Sequence, residues 1–274
     1  MIVKSAEELQ QLPEYKEVLL DLLLQLGDDD FILSFRGSEW LGLCPHIEED
    51  VAYSSITQNT MGHATMYYKL IEEIGEGSAD ELAHARTEGQ RKNAIILEEA
   101  NGEGSYLDEP KYDWAFAVVR NYLYEVAKKI RLDSLKQSSY VPLANVARSV
   151  SREQYYHIKH WEIWFKQLLT STPEARGKME TQIERIWKDF GGVLSLGPNA
   201  DKMKDLQLIA GEKELSEKWL AMIESAFEEV GLQLPTSNPG LEAGNGREGT
   251  HTEHLTTALA TLSEVYNMDR AAAW

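Results

Sequence analysis

Residues 151–164 read "SREQYYHIKHWEIW", with Glu153 four residues before His157 and with His160 and Trp164 following at helical intervals. At 100° per residue, Val146, Val150, Glu153, His157, His160, Trp164 and Leu168 fall within about 80° of one another. A carboxylate and two imidazoles therefore sit in the middle of an apolar stripe, where burial is expected. Two other segments repeat the pattern. Residues 47–75 put Ala52, Ile56, Asn59, His63, Met66 and Leu70 on one face, and residues 113–136 put Trp114, Val118, Tyr122, Glu125 and Leu132 on another. Each helix carries polar groups where an ordinary bundle would place leucine.

Outward from these stretches almost every segment reads as helix, with no convincing strand alternation. Ser5 and Glu8 are spaced as a capping box, Pro13 suits the first turn of a long helix, and Pro45 in "CPH" cannot continue it. The spacing predicts core helices over 14–43, 47–75, 113–136 and 141–170. A loop, "NGEGSYLDEPKYD", separates the two pairs. Beyond Pro173 a helical extension fills residues 174–274, with the loop "LPTSNPGLEAGNGREGT" and a last helix opened by Thr250 and Glu253 as a second capping box. Four helices of about 24 to 31 residues, roughly 36 to 46 Å long, in two hairpins joined by a longer connection, match an all-α, ferritin-like up-down four-helix bundle. The whole chain, 1–274, is expected to be one such domain with flanking and C-terminal helices.

Composition narrows the function. The 274 residues are 43% hydrophobic, enough for a large core, and 27 Lys and Arg against 45 Asp and Glu give a net charge of −18. Such a surface repels phosphate backbones and anionic lipid, so neither nucleic acid nor membrane is an expected partner, whereas a partner with a basic face is. The apolar run Val18–Leu26 is broken by Asp21 and Gln25, too short and too polar to span a bilayer. The start, "MIVKSAEELQQLPEY", lacks the features of an export signal, and the single cysteine, Cys44, has no internal disulfide partner. The expected compartment is the cytoplasm.

Depth along the helices brings the polar residues together. Glu125 and Glu153 lie equally far from the turn at "QSSY", and Asn59 faces the neighbourhood of "GDDD" at 27–30. All four helices then offer candidate ligands at one level: Asp29 or Asp30, Asn59 with His63, Glu125, and Glu153 with His157. A carboxylate-bridged dimetal bundle uses that layout, with one Glu from each of two helices and Glu-x-x-His from the other two. Here both histidines stand one position late, and Asn59 replaces a glutamate. A slip of one residue turns a side chain by about 100°, beyond what metal–ligand bonds tolerate. The site thus reads as vestigial, a buried polar network, with a single weakly held metal left open.

Other signals are weaker. Cys44 has no adjacent base, "GNGREG" lacks a preceding strand, and His251 and His254 read as structural. Lys128, Lys129, Arg131 and Lys136 form a basic island, expected to be a solvated face or else a contact for an acidic partner or an anionic substrate such as a coenzyme A thioester.

The stretches "LGDDDFILSFRGSEWLG", "CPHIEEDVAYSSI" with Gly62 and His63 after it, "REQYYHIKHWEIW" and "GREGTHTEHL" resemble the PaaC-like family: the ferritin-like, non-catalytic subunits of the multicomponent phenylacetyl-CoA oxygenase (ring 1,2-epoxidase). The similarity runs from about residue 20 to Trp274. It implies a structural subunit in aerobic phenylacetate catabolism, with no catalytic residue and no cofactor of its own. It further implies a homologous catalytic partner that carries the di-iron centre, packed against this chain in a homo- or hetero-oligomer. His63, where the family pattern has an amide or similar group, and a longer N-terminus are departures. The residues alone leave two alternatives, a self-sufficient dimetal carboxylate oxidase and an all-helical binding protein.

Overall fold

A computed structural model of the chain describes residues 1–272. The first helix, α1 (Ala6–Leu9), begins at Ser5, whose hydroxyl accepts from Glu8 N–H at 3.5 Å. The Glu8 carboxylate returns to Lys4 N–H (2.7 Å) instead of to Ser5, so only half of the expected capping box forms. Pro13 opens α2 (Pro13–Ser38) as predicted, but the helix stops five residues before the expected Leu43. Gly42 turns the chain at φ +80°. Trp40 then drops into the core edge-on to Trp114, ring centroids 5.1 Å apart, which a continued helix would not permit.

The second core helix, α3 (Ile47–Glu73), is capped by the His46 imidazole, which accepts from Glu49 N–H, and ends before Gly75 at φ +83°. Short helices α4 (Ala79–His84) and α5 (Ile95–Glu98) follow. The connection read as loop holds an antiparallel hairpin, β1 (Gly102–Ser105) and β2 (Asp108–Tyr112), with Gly102 opposite Tyr112. "GEGS" and "DEPKY" are too short and too polar to show alternation. Then come α6 (Trp114–Leu135), started by the Asp113 carboxylate, and α7 (Val141–Ser171).

The C-terminal part comprises α8 (Pro173–Trp187), α9 (Gly191–Leu194), α10 (Ala200–Asp205), α11 (Glu212–Glu229), α12 (Glu253–Leu262) and α13 (Glu264–Met268). Thr252, not Thr250, precedes α12. Its N–H and hydroxyl both donate to Glu98 Oε1, so this helix start is anchored on α5 and not by a capping box.

Helices α2, α3, α6 and α7 form the ferritin-like bundle. Gly27 and Gly37 let α2 lie close to α3: a Cβ at Gly27 would stand 2.7 Å from Tyr68 Cε1, and one at Gly37 2.5 Å from Thr57 Oγ1. Across the other side, Asn59 meets His157 and His63 meets Glu153, so numbers rise on α3 as they fall on α7 and the pair is antiparallel. One hydrophobic core runs through residues from Val3 to Leu259. Among the described residues no helix is long and apolar enough to cross a membrane.

Candidate functional site

Three successive aspartates in α2 set the site. Each step of 100° sends the next side chain in a new direction, and all three are buried. Asp28 accepts from Tyr68 O–H (2.6 Å), from Lys92 N–H (2.8 Å) and from the Arg86 guanidinium. Burial alone would raise its pKa, but Arg86 and Arg91 outweigh that and hold the carboxyl below its ordinary range. Asp29 takes Arg247 in a bidentate pair, 2.8 Å at each oxygen, together with Arg131 (3.0 Å) and Ala94 N–H. Arg247 is fully buried and comes from the "GREG" stretch, so α2 and the C-terminal loop are locked by charge-assisted bonds.

Asp30 points into the bundle. Lys128 Nζ donates to its Oδ1 at 2.7 Å and Tyr124 O–H donates to the same atom at 2.8 Å. The same ammonium lies 3.1 Å from His63 Nδ1. An ammonium has donors only, so Nδ1 must accept, and the imidazole proton therefore sits on Nε2, facing Glu153 Oε2 at 2.9 Å. A continuous chain runs Tyr124–Asp30–Lys128–His63–Glu153. Burial pushes the Asp30 carboxyl above its ordinary pKa against the pull of Lys128. Burial, and then the charge of Lys128, drive the His63 pKa far below its usual value, so this imidazole stays neutral.

A second, shorter chain lies beside it. The Asn59 amide is 3.4 Å from His157 Nε2, and His157 Nδ1 is 3.5 Å from Glu125 Oε1, close enough for attraction but not aligned as a hydrogen bond. Gln154 Nε2 donates to the other Glu125 oxygen at 3.0 Å. Burial alone would raise Glu125; His157 and Lys128 outweigh it, and the carboxyl sits below its ordinary pKa. The two imidazole rings are 5.7 Å apart, tilted by 33°.

This donor set does not fit a carboxylate-bridged metal pair. The place where a cation would balance Asp30 and engage His63 is taken by the Lys128 ammonium, Asn59 offers an amide in place of a carboxylate, and Glu125 is held by Gln154. The space enclosed by Asp30, Tyr67, Tyr124 and Lys128 is about 10 Å³, room for about one water and far below a substrate pocket. Among the described residues no three His, Cys, Asp or Glu side chains are placed to share an ion.

The structure brings together most of the residues named from sequence, decides between two of them and corrects two readings. Asp30, not Asp29, joins His63, while Asp29 turns to Arg131 and Arg247. The late histidines His63 and His157 are both buried, as their place on the apolar faces predicts, because position i+4 returns to the face of residue i. Glu153 is not buried: its side chain is 49% exposed at the seam between α3 and α7. The basic island is two things. Lys129 and Lys136 pair with Asp133 at the surface, but Lys128 and Arg131 are buried and answer Asp30 and Asp29.

Lys128 is the residue that sequence reasoning missed. Arg120, Tyr124, Lys128 and Arg131 recur at helical spacing, and matching that row to three acids inside an apolar run was the available signal. His251 and His254 are structural: His251 lies 2.8 Å from Glu98 Oε2, and His254 Nδ1 accepts from Ala100 N–H. Burial pushes the Cys44 thiol up to about 12, the opposite of an activated nucleophile.

Comparison with known proteins adds relatives. A family profile described as "Phenylacetic acid catabolic protein" matches residues 3–274. The chain is also similar to one of the subunits of 1,2-phenylacetyl-CoA epoxidase from Escherichia coli (strain K12), with 26% identity over 252 residues that cover 92% of this chain and 97% of that protein.

Proposed function

The chain belongs to the phenylacetic acid catabolic protein family, and from that premise we propose that it is a supporting, non-catalytic subunit of a cytoplasmic phenylacetyl-CoA ring-epoxidising complex. In this reading a homologous subunit holds the di-iron pair and performs the oxygen chemistry. The present chain packs helix on helix against it and binds no metal. One observation carries the reading: Lys128 Nζ between Asp30 and His63 supplies, as a fixed covalent cation, the positive charge that a metal supplies in a working bundle of this type. A lysine so placed ties α2, α3 and α6 together and can exchange neither electrons nor oxygen. Asn59 and the void of about 10 Å³ support the same conclusion, the first by removing a ligand charge and the second by leaving room for only about one water beside Asp30 and Lys128.

The test is co-expression with the metal-holding homologue from the same organism. The expected outcome is one stable complex with iron in the homologue alone, turning over phenylacetyl-CoA with O2 and a reductase, and no turnover by this chain in isolation. Turnover by the isolated chain, or two proteins that elute separately, would overturn the proposal.

A further inference from the structure

The α3 helix has a peculiarity that neither the core nor the charge network explains. From Val51 to Tyr68 it contains no Asp, Glu, Lys or Arg, the longest such run in a chain that is 26% charged. A buried helix has reason to lack charge, but α3 is half exposed: Val51, Gln58 and Gly62 lie in solvent. Depletion of charge together with aromatic enrichment marks the centre of protein–protein interfaces. Beside this face α7 exposes Tyr156 and Ile163, at 71% and 63%.

Gly62 is the second anomaly. It sits in mid-helix, where glycine is less favourable than alanine, and a Cβ there would meet nothing within 4 Å. Nothing inside the chain requires glycine at that position, whereas close approach of another backbone does. Gly177 in α8 is equally open, but it lies among Glu174, Arg176, Lys178 and Glu180, as an ordinary solvated face does.

We propose that the outward face of α3 and α7, centred on Gly62 and Tyr156, is where the second ferritin-like bundle docks, through an uncharged helix face with an acidic margin. This rests on the supporting-subunit reading above. The acidic margin follows from Arg152, exposed at the edge of the face on α7 and, unlike Lys159 with Glu162 and Arg148 with the Lys136 carbonyl, without a partner among the described residues of a chain that is otherwise strongly negative. Two copies of this chain, each at −18, repel one another, so a different subunit is the occupant. The area suffices: about 40 Å of helix by about 20 Å for two helices is about 800 Å², one partner's share of a standard interface. Both polar chains surface here, at Asn59 and Glu153, so docking would also cover the ends of the buried network.

The experiment compares wild type, Gly62→Arg and Gly177→Arg for binding to the purified, iron-loaded homologue, with melting temperature and hydrogen exchange as controls. Both variants should melt alike and slightly above the wild type, by roughly 1 to 4 °C, because arginine is the better helix former at two open positions. Wild type and Gly177→Arg should bind equally, Gly62→Arg should bind at least 100-fold more weakly, and peptides across 51–66 should gain protection in the wild-type complex. Wild-type affinity for Gly62→Arg would overturn the choice of face even though the complex forms. Failure of the wild type to bind the homologue would remove both the occupant and the supporting-subunit reading. A self-dimer abolished by Gly62→Arg would assign the face to a second copy and overturn the occupant.

Discussion

The Lys128 ammonium, shared by Asp30 and His63, is the cation nearest the middle of the buried network, and its loss is the simplest perturbation of that network. Removing its charge leaves Asp30 buried against Tyr124 with no cation, and breaking a buried pair from one side costs about 3–5 kcal/mol. Lys128→Met should therefore lower the melting temperature by roughly 6 to 20 °C, taking about 2–4 °C per kcal/mol for a chain of this size. Adding Asp30→Asn should recover more than half of that loss, because the orphaned charge is then gone; calorimetry of the two variants checks both. His63 gives a pH signature. Its folded pKa is depressed, so the unfolded chain binds the extra proton, and the stability it contributes is full above the unfolded value near 6.5 and falls as pH drops below it. The slope should reach up to about 1.4 kcal/mol per pH unit between pH 6 and 5. His84 is shifted in the same direction, so the discriminating measurement is the difference between wild type and His63→Gln, which should be visibly flatter by urea titration. An equal slope in the two would show that His63 is protonated in the folded state.

At the scale of helices, the close α2–α3 contact and the open face of α3 make opposite demands on glycine. Gly37→Ala should destabilise by about 1–3 kcal/mol, because its Cβ meets Thr57 Oγ1 across a packed interface, while Gly62→Ala should stabilise the isolated chain by about 0.5–1 kcal/mol. Paired denaturation curves test the contrast; equal signs would contradict the packing described. The long helices were legible in sequence because their apolar stripes recur every three or four residues, and their depth relation was legible because the turns at Pro45 and "QSSY" fix it. Two parts were hidden for physical reasons. The hairpin at 102–112 has too few residues for a period. In α6, which is buried nearly all round, one apolar stripe cannot reveal that Lys128 and Arg131 face inward as well. Charge balance could have revealed it, since Asp28, Asp29 and Asp30 in an apolar helix demand cations from somewhere. Arg247 shows how far such a demand reaches, from α2 to a loop more than 200 residues later. Arg247→Ala should cost about 3–5 kcal/mol and expose residues 232–252 to proteolysis before the bundle melts.

Over the whole molecule, an acidic chain encloses a few of its cations beside buried acids and leaves one long helix face without charge. Its candidate site brings together an ammonium, an amide and two imidazoles, each engaged by partners within the chain. From the supporting role proposed above it follows that stability and assembly, not turnover, should respond to mutation of the core. The most direct test is elemental analysis of the chain purified alone and then in complex with its metal-holding homologue. Fewer than ~0.1 transition-metal ions per copy of this chain are expected in both states, with all of the iron in the homologue. Two ions bound within this chain, with His63 and His157 ligated to them and Lys128 displaced, would contradict that expectation.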